Sequence, residues 1–204
     1  MSKFKKHGMI TLCICLCLAA GGCGRNAYAV SHVTGEDHGT QGSSHSQSSQ
    51  EQVETSGQES SSSIPGSYTV PDGWVVASDH STDEKIFYVE DGHEHDSRPD
   101  NISINVGKNR YAADESEDFK DAIMRQLAMQ IGNSGAQLDG YGSTTDAGDV
   151  EYVFTITDDD GSVTKQYYIV GDRRFCLIQL SNYTGSDAAD DAADEMADSF
   201  VWDD

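Results

Sequence analysis

The chain has 204 residues, of which 35 are Asp or Glu and 13 are Lys or Arg, so its formal net charge is −22. A surface this negative repels phosphate groups, which argues against nucleic acid as a partner and against binding to anionic membranes through a basic patch. The partners that such a charge favours are basic segments of other proteins and divalent cations.

The N-terminal segment has the features of a bacterial lipoprotein signal. Three lysines within the first six residues are followed by an apolar stretch, residues 9–20, that is too short to span a bilayer. The stretch ends in Ala20, Gly21, Gly22 and Cys23. This run resembles the lipobox of bacterial lipoproteins, in which small residues let the signal peptidase cut before the cysteine, whose sulfur then carries a diacylglyceryl group.

We therefore predict a lipoprotein signal peptide over residues 1–22 and lipidation of Cys23, with the protein anchored on the extracytoplasmic face of the cell membrane. The alternative is an ordinary secretory signal that is cleaved near Ala27 or Ala29. Both alternatives place the domain outside the cytoplasm. Removal of the signal also removes three lysines, so the mature chain is more acidic still.

Residues 23–63 are predicted to form a disordered tether behind the lipid. The segment is rich in Ser, Gln and Gly, and it has too few apolar side chains to offset the entropy of ordering. Residues 64–204 are long enough for a single globular domain. Three of the five cysteines leave with the signal and Cys23 carries the lipid, so Cys176 remains alone and an internal disulfide is excluded.

The first part of the domain carries strand signals. β-branched and aromatic residues are concentrated in four short segments, residues 68–70, 74–77, 85–89 and 102–106. Pro71 and Gly73 predict a turn between the first two segments, and a long polar loop over residues 90–100 separates the last two. The four segments predict one edge of a twisted sheet.

A helix is predicted next. Ser116 precedes four apolar residues that are spaced four apart, namely Phe119, Ile123, Leu127 and Ile131. This spacing places them on one stripe of a helix, and Gly132 follows the last of them as a C-terminal cap.

The second half of the domain predicts a run of antiparallel strands and a final helix. After a weaker strand signal at residues 136–141, alternating patterns cover residues 150–157, 163–170 and 173–181. The turn at residues 158–161, Asp-Asp-Asp-Gly, has hairpin chemistry, and its spacing does not fit a calcium-binding EF-hand loop. A helix with an alanine-rich face is predicted over residues 186–201. The order predicts an α+β fold, with helices packed on an antiparallel β-sheet.

This arrangement resembles the PsbP/DcrB-like superfamily. The resemblance rests on the segment at residues 68–74, the strand at 101–106, the strands at 150–181 and the closing segment at 196–202. The superfamily includes the extrinsic PsbP proteins of photosystem II and several bacterial lipoproteins. The resemblance implies an α/β/α sandwich that acts as a binding or accessory module. It implies no shared active site, so no functional residue is carried over.

One loop has the composition of a metal site. His93 and His95 are two residues apart, so both imidazoles can point to one side of an extended segment, and Asp96 can add a carboxylate oxygen. The site would hold a divalent metal. It leaves open an alternative function, a metal-assisted hydrolase that uses His93 and His95, with His80 as a possible further ligand. The competing interpretation is a solvated loop.

The final helix carries a series of acidic residues at three- and four-residue steps, namely Asp187, Asp190, Asp191, Asp194 and Asp198. Residues so spaced share one helix face, which predicts a surface for a cationic protein or peptide or for loosely held Ca²⁺. The alternative is a solvated face with no partner. No catalytic motif is present, so no catalytic residue is predicted. The favoured function is a non-enzymatic, membrane-anchored binding or accessory module without a cofactor. Its partner and oligomeric state are not indicated by the sequence.

Overall fold

A seven-stranded antiparallel sheet forms the centre of the protein in the computed structural model, which describes residues 64–203. The strands of the described residues are β1 Gly66–Ser67, β2 Trp74–Val76, β3 Lys85–Glu90, β4 Asn101–Lys108, β5 Gln137–Thr144, β6 Val150–Thr157, β7 Val163–Gly171, β8 Arg174–Asn182 and β9 Val201–Trp202. The helices are α1 Ser116–Ile131, preceded by a 3-10 turn at Ala113–Glu115, and α2 Asp187–Asp198. The predicted signal peptide, Cys23 and tether lie outside the described residues.

The strand order in the sheet is β2-β3-β4-β8-β7-β6-β5, and every neighbouring pair is antiparallel. Strands β5 to β8 follow one another as a meander, because short turns join them. Strand β8 then pairs with β4 and so joins the meander to the three N-terminal strands. Strands β2 and β5 are the edges. Within the described residues, no helix is long and apolar enough to cross a bilayer.

The two helices cover opposite faces of the sheet, because alternate residues of each strand point to opposite sides. On one face, Cys176, Ile178 and Leu180 of β8 pack with the alanines and Met196 of α2. On the other face, the Phe119 ring of α1 lies 5.7 Å from the Tyr168 ring and 5.6 Å from the Phe175 ring, measured between ring centroids. The predicted α+β sandwich is therefore confirmed.

Helix α1 follows the predicted pattern. Phe119, Ile123 and Leu127 are buried, and Gly132 closes the helix with a φ of 48° and a backbone N–H donated to the carbonyl of Ala128. The helix starts at the predicted Ser116, but that residue is not its cap. The hydroxyl of Ser116 accepts a hydrogen bond from Tyr152 on β6 at 3.2 Å instead, so it helps to hold α1 on the sheet.

Helix α2 ends three residues before the predicted end at residue 201. Ser186 caps its start by accepting the backbone N–H of Ala189, but after Asp198 the chain leaves the helix and Val201–Trp202 forms β9. Strand β9 pairs with β1 near the start of the domain. The side chain of Phe200 is fully buried between the two short strands and the sheet, and this burial favours an extended end over another helical turn.

The strand predicted at residues 68–70 is wrong, although the turn after it is confirmed. The N–H of Trp74 is bonded to the carbonyl of Pro71, and Gly73 has a φ of 84°. Thr69 donates its backbone N–H to the side chain of Ser199, not to a neighbouring strand. The aromatic signal of this segment comes from Tyr68, whose ring packs on Tyr88 and Phe200.

The turn between β6 and β7 is confirmed. Asp158 donates its backbone N–H to the carbonyl of Ser162, and Gly161 has the positive φ of 86° that the turn requires. Asp160 accepts hydrogen bonds from the backbone and hydroxyl of Ser162. These bonds lower the pKa of Asp160 and hold its side chain within the turn.

Candidate functional site

The loop between β3 and β4 presents His93, His95 and Asp96 to solvent. The Nδ1 atom of His93 lies 2.7 Å from Oδ2 of Asp96, across a turn in which the N–H of Asp96 is bonded to the carbonyl of His93. The hydrogen bond and the charge of Asp96 raise the pKa of His93, and the hydrogen bond engages the Nδ1 atom of the imidazole.

The three predicted metal ligands thus lie in one turn, where His93 and Asp96 are hydrogen-bonded to each other. Across residues 64–203, no three His, Cys, Asp or Glu side chains are gathered in a way that could hold a metal ion. The metal site at His93, His95 and Asp96 stays a prediction, as does the hydrolase that would use it.

The five aspartates of α2 do not have the same surroundings. Asp187, Asp191 and Asp198 are exposed, whereas Asp190 and Asp194 lie at the margin between the helix and the sheet. These last two face Lys165 of β7, whose Nζ atom lies 2.8 Å from Oδ1 of Asp190 and 3.9 Å from Oδ1 of Asp194.

Lys165 and the two aspartates attach α2 to the sheet. Burial disfavours the charged lysine, but the carboxylates of Asp190 and Asp194 outweigh that effect and raise the pKa of Lys165. Asn182 donates to Asp190 at 3.3 Å, and the hydroxyl of Tyr167 donates to Asp194. Part of the predicted acidic face therefore stabilises the domain itself.

Beside this ion pair, two aspartates of the predicted acidic face lie near an acidic and an aromatic side chain that the sequence did not single out. We call this group the acidic corner, and it consists of Tyr141 on β5, Glu151 on β6, and Asp194 and Asp198 on α2. Register places Tyr141 opposite Val153 and Glu151 opposite Ser143, so Tyr141 and Glu151 point from neighbouring strands to the face that α2 covers.

Glu151 lies at the base of the acidic corner. Its side chain is buried, with 2% of the residue exposed, and its Oε1 atom has no hydrogen-bond partner. Burial raises the pKa of Glu151 from the ordinary 4.5 to about 7, and the carboxylates of Asp198 and Asp194 add to the shift. The group is therefore poised to lose or gain a proton near neutral pH.

The rim of the acidic corner is open to solvent. Tyr141 is 57% exposed, the Asp194 side chain is about half exposed, and Asp198 is exposed. Burial together with the carboxylates of Asp146 and Asp194 raises the pKa of Asp198, which shows how closely the acids are placed. The backbone N–H of Asp146 also holds the carbonyl of Asp198 at 2.9 Å, which fixes the end of α2 over the β5–β6 turn.

Sequence patterns did not reveal Glu151, because the residue alternates with apolar neighbours in β6 as a solvent-facing residue would. The alternation Val150, Tyr152, Phe154 and Ile156 predicts one buried face and one exposed face. Both faces are covered here, so Glu151 is buried under α2. The burial of Glu151 could have been inferred from the two predicted helices, because two helices on opposite faces of one sheet leave neither face fully exposed.

Cys176 is buried in the core with no exposed surface, and burial raises the pKa of its thiol well above the ordinary value. A thiol in this state is neither accessible nor ionised, so it is not available as a nucleophile.

No family model matches the chain, and no curated protein matches it. Chains of solved structures do match. One is the solution structure of cyanobacterial PsbP (CyanoP) from Synechocystis sp. PCC 6803, with a TM-score of 0.44 and 15% sequence identity over 68% of this chain and 86% of that one.

Proposed function

We propose that this protein is an extracytoplasmic lipoprotein, held on the cell membrane by lipid on Cys23, whose domain binds a partner and has no catalytic activity. The observation that carries the proposal is the run of small residues Ala20, Gly21 and Gly22 before Cys23, directly after a short apolar stretch with lysines ahead of it. A lipid is needed for stable attachment, because the acidic chain is repelled by anionic head groups.

A binding role is supported by the state of the reactive groups in the domain. The Cys176 thiol is buried, His93 is paired with Asp96, and Lys165 is engaged by two aspartates. The excess of carboxylates that remains at the surface favours a cationic partner.

The lipid anchor is tested by growing cells with a palmitate analogue and measuring its incorporation into the protein. We expect the wild type and a Cys17→Ser control to be labelled, and Cys23→Ser to be unlabelled. Labelling that survives Cys23→Ser would refute the anchor. The mass of the mature N-terminus provides a second measurement, since an ordinary secretory signal would leave an unmodified end near Ala27 or Ala29.

The binding role is tested by crosslinking in intact cells, followed by mass spectrometry of the captured proteins. We expect a reproducible partner with a basic surface, recovered from wild-type cells and lost when crosslinking is done at high salt. Recovery of no protein above the level of an unrelated lipoprotein would contradict the proposed binding role.

A further inference from the structure

The acidic corner combines a buried carboxyl group, one oxygen of which has no hydrogen-bond partner, with the half-exposed Asp194 and the exposed Asp198. Oε1 of Glu151 receives no hydrogen bond, and the charges that raise the pKa of Glu151 are those of Asp198 and Asp194, which are negative. A buried polar atom in a native protein is normally satisfied, so an orphaned oxygen beside an open rim indicates a place that another group can fill.

The elements that neighbour the acidic corner contribute more negative charges than positive ones. Strand β7 contributes Lys165, which is bound to Asp190 and Asp194, and Tyr167, which donates to Asp194. The β5–β6 turn contributes Asp146, and Asp198 completes the set from α2. Lys165 is thus the one positive charge among several carboxylates at the corner. Among the described residues, no cation is bound to Glu151 or Asp198.

Tyr141 gives the corner an open aromatic face. Five other aromatic rings of the described domain already have a cation over them, namely Lys85 on Phe87, Arg98 on Tyr183, Arg110 on Tyr111, Lys120 on Tyr152 and Arg174 on Trp202. No such cation covers Tyr141 within residues 64–203, although 57% of the residue is exposed. The carboxylates of Asp194, Glu151 and Asp198 act on it, against the single opposing charge of Lys165. An aromatic face beside carboxylates is the combination that binds an ammonium or guanidinium group.

We propose that the acidic corner is a docking site for a lysine or arginine side chain on a basic segment of a partner protein. The inference rests on the proposed binding role and gives that role a location. The cationic group stacks on Tyr141, its charge is shared by Asp194 and Asp198, and Glu151 accepts from it at the base of the site. An organic side chain fits the corner better than a bare metal ion, because it can span carboxylates that are not gathered around one point.

Binding is coupled to the protonation of Glu151. The bound cation favours the carboxylate over the neutral acid, so Glu151 releases its proton as the cation enters. The affinity for a cation therefore increases as pH rises through about 7, the pKa of free Glu151. A guanidinium group is charged throughout this range, so an arginine probe reports the titration of the protein alone.

The test measures binding of a fluorescent hexa-arginine peptide to the full chain in a non-ionic detergent, at pH 5.5 and pH 8. At pH 8 we expect Asp198→Asn, Glu151→Gln and Tyr141→Thr each to weaken binding about 3- to 5-fold, the effect of one charge pair or one cation–π contact. Tyr141→Phe keeps the aromatic face and should bind as the wild type does. At pH 5.5, Glu151→Gln should match the wild type, because Glu151 is then already neutral.

Two matched controls separate the site from the overall charge. Asp191→Asn and Glu195→Gln remove the same charge from exposed positions of the same helix, and they should change the affinity less than twofold. Equal losses in the controls and in Asp198→Asn would overturn the site, because the peptide would then be sensing net charge alone. A far-ultraviolet spectrum of each variant checks that it is folded.

Failure of the site and failure of the binding role give different results. If a partner is captured in cells but its capture is unchanged in Asp198→Asn and Glu151→Gln, the binding role stands and the corner is not its site. If hexa-arginine distinguishes the corner variants from their controls but cells yield no partner, the site stands and the proposed role fails.

Discussion

Glu151 is the residue at which the fold buries an ionisable group, since only 2% of the residue is exposed. Its pKa is raised from 4.5 to about 7, so between these values the folded protein keeps a proton that the unfolded chain has released. Because the folded state then binds more protons, stability falls as pH rises through this window and levels off above about 7. At pH 8 the ionised group lowers the free energy of unfolding.

Substitution of Glu151 by Gln should therefore stabilise the protein at pH 8. The shift in pKa corresponds to about 3 kcal/mol, from which the cost of burying an unpaired amide must be subtracted, so we expect a gain of roughly 1–3 kcal/mol. The gain should disappear below pH 4.5, where both states of the wild type are protonated. Urea unfolding at pH 4.5, 6 and 8 measures the effect. Glu195→Gln, at an exposed site, should show no such pH dependence. If the gain in stability of Glu151→Gln over the wild type is no larger at pH 8 than at pH 4.5, the raised pKa of Glu151 does not control this stability.

Gly107 leaves a space that the ring of its neighbour Phe175 fills. A Cβ atom at this position would lie 2.3 Å from the Phe175 ring of the adjacent strand β8, in a packed region where the ring also contacts α1. We expect Gly107→Ala to lower the free energy of unfolding by about 1–3 kcal/mol, because the ring must move.

Gly142 on the edge strand β5 is the matched control for Gly107. Its added Cβ would meet Tyr152 at 3.5 Å, an ordinary contact. Gly142→Ala should be neutral or slightly stabilising, since alanine restricts the unfolded chain. Urea unfolding of the two variants makes the comparison, and equal losses would show that contact with Phe175 is not the cause.

At the scale of elements, α2 is held to the sheet by apolar packing and by one ion pair with a defined geometry. Asp190 lies 2.8 Å from Lys165, whereas its neighbour Asp191 points to solvent. Adjacent residues of one helix therefore have opposite effects on stability. The exposed acid repels other carboxylates of the helix, and the partly buried acid holds the lysine of β7.

Substitution of these two aspartates tests the division of the acidic helix. Asp190→Asn should lower the melting temperature, with a loss of about 1 kcal/mol, because Lys165 loses its closest counter-charge while 22% exposed. Asp191→Asn should raise stability by a few tenths of a kcal/mol through relief of like-charge repulsion. If both variants melt at the same temperature as the wild type, the acids of α2 are equivalent and the ion pair does not contribute.

Elements with a strong local period were predictable, and elements created by distant contacts were not. Strands β6 to β8 and helix α1 carry their periods in consecutive residues, so their burial patterns follow from the sequence. The pairing of Gly66 with Trp202 joins the two ends of the domain, and two-residue strands have no period to detect. The same holds for the acidic corner, whose members come from β5, β6 and α2 and are each ordinary in their own segment.

At the scale of the whole molecule, the dominant feature is the excess of negative charge. A net charge of −22 means that most carboxylates have no cation within reach, and their mutual repulsion opposes the compact state. The described ion pairs are few and mostly exposed, so they offset little of this repulsion. Stability depends instead on the two apolar layers between the sheet and its helices.

Salt should therefore stabilise the folded protein at pH 8. Raising NaCl from 20 to 300 mM shortens the screening length from roughly 20 Å to about 6 Å, which removes most of the repulsion between surface carboxylates. We expect the melting temperature of the full chain to increase by about 3 °C, as relief of roughly 1 kcal/mol would produce in a protein of this size. At pH 4 about half of the carboxylates are protonated and the histidines are charged, so the net charge is close to zero and the same addition of salt should have almost no effect. A melting temperature that falls with salt at pH 8 would mean that attraction in pairs such as Lys165 with Asp190 outweighs the repulsion between carboxylates. An equal rise at both pH values would indicate a general effect of salt on apolar burial rather than a reduction of charge repulsion.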